Sequence, residues 1–67
     1  MATFRVTLYD VRRETFLSID GVVELDGHQS RINNRWTNVW FLRLANHSER
    51  AFPQKWYQIH RVSLQEV

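Results

Sequence analysis

Cysteine is absent from this 67-residue chain, and glycine, proline and lysine occur only twice, once and once. Without thiols there is neither a disulfide framework nor a thiolate metal site, the usual staples of small domains, and a reducing interior suits the chain. With Gly21 and Gly27 as the only glycines, a glycine-rich phosphate loop and a dinucleotide fingerprint are both excluded. No apolar run approaches the ~20 residues of a membrane span. The opening Met-Ala-Thr-Phe-Arg lacks the apolar core of a secretion signal, so a soluble, cytoplasmic protein without membrane contact is expected. The glycosylation-type triplet Asn46-His47-Ser48 therefore carries no weight.

What is present argues for folding. The chain is 43% hydrophobic and 13% aromatic, with three tryptophans, which is too much apolar surface for a disordered segment. Its length allows a single small domain over residues 1–67. A chain this short buries only about 60% of the surface its unfolded form exposes, so a partner or a homo-oligomer is expected to add stability. Nine basic residues, eight of them Arg, stand against seven acidic ones for a net charge of +2. That excess permits nucleic-acid binding without arguing for it.

Period-two alternation dominates locally. Thr3 to Tyr9 places Phe4, Val6 and Leu8 on one face of a strand. After the polar Val11 to Glu14, the apolar runs Thr15 to Ile19 and Val22 to Leu25 are separated by Asp20-Gly21 and closed by Asp26-Gly27, pairs that favour turns. His28 to Ile32 reads as a short edge strand before Asn33-Asn34, which tolerates left-handed backbone. Trp36 to Leu44 is the most hydrophobic stretch and is expected to be the central strand. Ala45 to Gln54 reads as a loop holding Pro53. Lys55 to Leu64 alternates again, with Tyr57 and Ile59 on one face and Trp56, Val62 and Leu64 on the other. The expected fold is an all-β, single-domain antiparallel sheet of four or five strands, curled into a partly closed barrel. The alternative is an α+β fold with a C-terminal helix within residues 54–66, begun by Pro53.

Two segments carry a family resemblance. Thr7-Leu8-Tyr9-Asp10-Val11 resembles the Ala-Leu-Tyr-Asp-Tyr opening of Src-homology-three domains, and Ala51-Phe52-Pro53-Gln54-Lys55-Trp56 resembles their late Gly-x-x-Pro-Ser-Asn-Tyr motif, with Trp36 between them. The resemblance implies an SH3-like barrel in which Tyr9, Trp36, Pro53 and Trp56 line a groove for a proline-rich or extended peptide. The chain departs from the family at Val11, in the missing late glycine, and in a first loop carrying Arg12 and Arg13 rather than acidic residues.

No catalytic apparatus is visible. His28, His47 and His60 lack the spacing of a zinc motif, so no metal and no cofactor is expected. His47-Ser48-Glu49 reads as a solvated turn, and Asp20 and Asp26 as turn chemistry. The aromatic set Trp36, Trp40, Phe41, Trp56 and Tyr57 exceeds what so small a core encloses, which predicts at least one exposed ring. The expected function is that of a non-catalytic binder that modulates or inhibits a larger protein partner, a compact regulator of the kind carried by phages and mobile elements. Its expected surface is Tyr9, Trp36, Pro53 and Trp56, rimmed by Arg12, Arg13 and Arg35. The alternative is a nucleic-acid-binding barrel in which Arg31, Arg35, Arg43 and Arg61 contact phosphates and Trp rings stack on bases. An enzyme site completed only by a symmetric oligomer is the third reading.

Overall fold

The computed structural model describes residues 2–65. They form β1 (Thr3–Asp10), β2 (Thr15–Ile32), β3 (Arg35–Leu44), β4 (Glu49–Pro53) and β5 (Tyr57–Gln65), in one antiparallel sheet of order β4-β3-β2-β1-β5. The described residues contain no helix, so the α+β alternative falls away. Gln54 to Trp56 form a turn in which the Trp56 N–H donates to the Pro53 carbonyl at 3.1 Å. The chain after it joins β1 in a ladder from Asp10 opposite Tyr57 to Thr3 opposite Gln65.

The 18-residue β2 corrects the expectation of two Asp-Gly turns. Its first part pairs with β1, from Asp10 opposite Thr15 to Phe4 opposite Val22, and β3 takes over from Val22 opposite Leu44 to Ile32 opposite Arg35. The β1 ladder shifts register at Gly21, whose φ of 73° supplies a bulge that bends the strand instead of reversing it, and the β3 ladder shifts two residues on, at Val23. Gly27 serves a different need. A Cβ there would lie 3.0 Å from Cζ3 of Trp40 and 3.1 Å from Nε2 of Gln54, so the bare backbone makes room for the indole opposite. Gly27→Ala is expected to cost about 1–3 kcal/mol by overpacking. Urea unfolding measures this, and an unchanged midpoint would mean that the indole yields freely.

The Trp40 ring also shows how the sheet curls. Its Nε1 donates to the Tyr57 carbonyl at 3.1 Å, and the Phe52 and Tyr57 rings meet edge-on at 5.1 Å, so β3 and β4 reach β5 from the far side of the strand order. No β4–β5 ladder forms among the described residues, and the curled sheet is not closed. Inside the curl, Val6, Leu8, Ile19, Val22, Leu42 and Phe52 are buried together, with Leu17, Leu25, Trp40, Leu44, Tyr57 and Ile59 against them.

Other expectations are also corrected. The centre of the sheet is β2, with β3 one place from the edge, because the long β2 pairs with β1 through its first half and with β3 through its second. The expected His28 to Ile32 edge strand is the end of β2, and the loop read over Ala45 to Gln54 contains β4. As an edge strand, β4 can accept Pro53 at its end. In β5 the register shifts so that Thr7 faces Arg61 and Leu8 faces Ile59, leaving His60 bulged. The bulge brings Ile59 and Val62 to the same face, the one opposite Leu8 and Val6, against strict alternation.

Candidate functional site

The most exposed feature is an arm. Pairing of β2 with β1 ends at Val22, and pairing of β3 with β4 ends at Val39. Ser30–Ile32 and Arg35–Thr37 therefore pair only with each other, while at the base of the arm the Asn38 carbonyl accepts from the Gln54 N–H at 2.9 Å and the His28 ring meets Phe41 at 5.2 Å. The ribbon gives the molecule extents of 39 × 26 × 14 Å and a radius of gyration of 12.3 Å, against about 11 Å for a compact chain of this length. Its tip is the expected Asn33-Asn34 turn, with φ of 50° and 63°, as a two-residue type I′ hairpin requires.

Cross-strand partners share a face. Arg31 is opposite Trp36 on one face of the arm, and Ile32 is opposite Arg35 on the other. Trp36 is 68% exposed and Ile32 40%. Between Asp26 and Glu49 the chain has no carboxylate, so the arm carries unrelieved positive charge.

The other expected residues lie elsewhere. Tyr9 is half-buried and its ring meets Phe16 at 5.1 Å, with Phe16 against His60 at 4.8 Å. Trp56 is half-buried under the Arg12 guanidinium, 4.7 Å from the ring centroid, and Lys55, absent from the expected set, lies 4.9 Å from the same centroid. Arg13 is exposed beside Asp10, and Pro53 ends β4 opposite Val39. Trp36 makes no ring contact with Tyr9 or Trp56 among the described residues. The expected surface is thus divided between an arm with Arg35 and Trp36 and a corner with Arg12 and Trp56. The four arginines of the nucleic-acid alternative are likewise spread: Arg31 and Arg35 on the arm, Arg43 ion-paired to Glu24, and Arg61 on β5 opposite Thr7. Lys55 is legible in the sequence only through its place beside Trp56, and Ile32 carries no local signal of exposure.

One exposed ion pair shifts a titration. Arg5 Nε donates to Asp20 Oδ1 at 2.7 Å, and this hydrogen bond, assisted by the guanidinium charge, holds the Asp20 carboxyl below its ordinary value. Because the folded pKa is depressed, the contribution to stability is present above the unfolded carboxylate value and fades as pH falls through the folded one. Carboxyl NMR titration is expected to give Asp20 a low midpoint that Arg5→Ala returns to normal. A midpoint unmoved by that substitution would remove the assignment.

Phe4, Val6, Val22, Val23, Leu25 and Val62, with Glu24, line a mostly apolar groove of about 140 Å³. Comparison with family models, with curated proteins and with solved structures found no match to this chain.

Proposed function

We propose that the chain is a non-catalytic binding protein that modulates a larger protein partner, with Trp36 as the ring inserted into that partner and Arg31 and Arg35 as its polar rim. The observation that carries this reading is the 68% exposure of Trp36 near the tip of an arm whose outer residues, Ser30–Ile32 and Arg35–Thr37, pair only with each other. A large ring held in water costs solvation, and its burial in a partner's pocket recovers it. Trp and Arg are also the residues that dominate interface energetics. The five-stranded antiparallel sheet is compatible with an SH3-like small β fold, although Trp36 and Trp56 serve different surfaces here.

A second reading has its own support, the pairing of Arg31 with Trp36 on one face of a carboxylate-free arm. Such a face can stack a base and touch a phosphate. Salt separates the two readings. One phosphate contact from Arg31 to a single strand adds about −0.7 to the log–log slope, whereas an interface centred on an indole responds much less. Capture from lysate on immobilised protein, with and without nuclease and at two salt concentrations, tests this. A retained protein band supports the first reading, and binding abolished by nuclease overturns it in favour of the second.

A further inference from the structure

The β1–β2 turn and the β4–β5 turn meet at one corner of the sheet. The Val11 N–H donates to the Trp56 carbonyl at 3.0 Å, clasping the two turns together. Asp10 is only 5% exposed, and its Oδ1 accepts from the N–H groups of Arg12 and Arg13 at 3.0 and 3.2 Å. The backbone of the first turn is thereby held by a carboxylate whose charge is spent inside the fold and on the Arg13 guanidinium, 4.0 Å away.

Two cations remain. The Arg12 guanidinium and the Lys55 ammonium both lie on the Trp56 ring, at 4.7 and 4.9 Å from its centroid. No carboxylate is within ion-pairing distance of either among the described residues. Glu14, at the end of the same turn, is exposed and forms no ion pair among the described residues. Among the described residues Arg5 pairs with Asp20 and Arg43 with Glu24, while Arg31, Arg35, Arg50 and Arg61 form no ion pair, so what sets this corner apart is two such cations on one ring. The ring attracts each cation through its negative face, but it does not neutralise either charge. A carboxylate within reach of them would.

We propose that this corner is a binding site for an acidic, extended peptide segment of a protein partner. A side-chain carboxylate pairs with Arg12 and Lys55, and an adjoining apolar side chain packs at the half-buried indole beside them. Two cations without a carboxylate partner on a half-buried ring match a carboxylate next to a hydrophobic group, which adds apolar contact that a free small ion lacks. The site is independent of the arm, and Trp36 takes no part in it.

The test is an NMR titration of the full chain, observing the indole N–H of Trp56 in low salt. The probes are a capped Ala-Glu-Leu-Glu peptide, its Gln counterpart and inorganic phosphate. The acidic peptide is expected to move the Trp56 signal saturably, and the other two to leave it in place at the same concentration. Arg12→Gln and Lys55→Gln are each expected to weaken binding by about 2–5-fold, and the double variant by about 10-fold. Arg12→Lys, which keeps the charge, retains binding, and Trp36→Ala leaves the titration unchanged whether or not the arm engages a partner. A Trp56 signal indifferent to the acidic peptide overturns the proposal. So does equal movement by the Gln peptide or phosphate, or an unaltered titration in a folded double variant.

Discussion

Replacing Leu42 with alanine is expected to remove about 2–5 kcal/mol of stability, the range for truncating a buried leucine that leaves a cavity. Leu42 is fully buried at the point where β2, β3 and β4 lie side by side, opposite Leu25 on one strand and Arg50 on the other. A domain of this length has roughly 3–10 kcal/mol in total. The variant therefore approaches unfolding, with a fall in Tm of at least about 10 °C. Denaturant unfolding followed by near-ultraviolet circular dichroism reads the loss directly. Val62→Ala is the comparison, because Val62 is 46% exposed and its truncation leaves little cavity, so its cost stays below about 1 kcal/mol. Equal losses at the two positions would mean that the core does not lie where Leu42 places it.

Trp36→Ala separates folding from binding. Its ring lies outside the core cluster, so the substitution is expected to shift stability by no more than about 0.5 kcal/mol. Partner capture, in contrast, is expected to fall by about 30-fold or more, the effect of removing an anchoring aromatic worth at least ~2 kcal/mol. Thermal unfolding and the capture assay on one preparation give both numbers. Undiminished capture would take the anchor away from the arm, and a large loss of Tm would assign the ring to the fold. Arg31→Gln on the same arm tells the two ligand classes apart. If Arg31 neutralises a phosphate, the variant has a flatter salt dependence; if it is a rim charge at a protein interface, the variant mainly associates more slowly.

The strands themselves are readable in the sequence, since alternation and β-branched composition mark β1, β3 and β5, and Asn33-Asn34 marks the tip of the arm. Where sequence and fold disagree, the deciding partner lies on another strand. A glycine signals a turn, a bulge or a close approach with equal force, and the choice at Gly27 depends on an indole supplied by β3. Strict alternation misassigns the faces of β5 because a bulge at His60 is decided by the register against β1, not by β5 alone. Hydrophobicity points to β3 as the centre of the sheet, but its leading Trp36 sits outside the core. At the candidate sites, an exposed ring among arginines follows from composition. The Arg12–Trp56–Lys55 cluster does not, because it exists only once two turns remote in sequence are clasped by the Val11–Trp56 hydrogen bond.

The ladder between β1 and β5 has a consequence for how the chain reaches its fold. Thr3 lies opposite Gln65, so the pairing that completes the sheet joins the first strand made to the last. The β1–β2–β3–β4 meander can assemble hairpin by hairpin as it leaves the ribosome. Through all of that time β1 keeps one edge bare, and Trp40 waits for the Tyr57 carbonyl. Closing the loop between Thr3 and Gln65 comes late, and it is the one non-local ladder of the sheet, the kind of pairing that slows folding. The same proximity makes a circular permutant the natural accelerator: linking the present ends and opening the chain at Asn33-Asn34 turns the slowest pairing into a local hairpin.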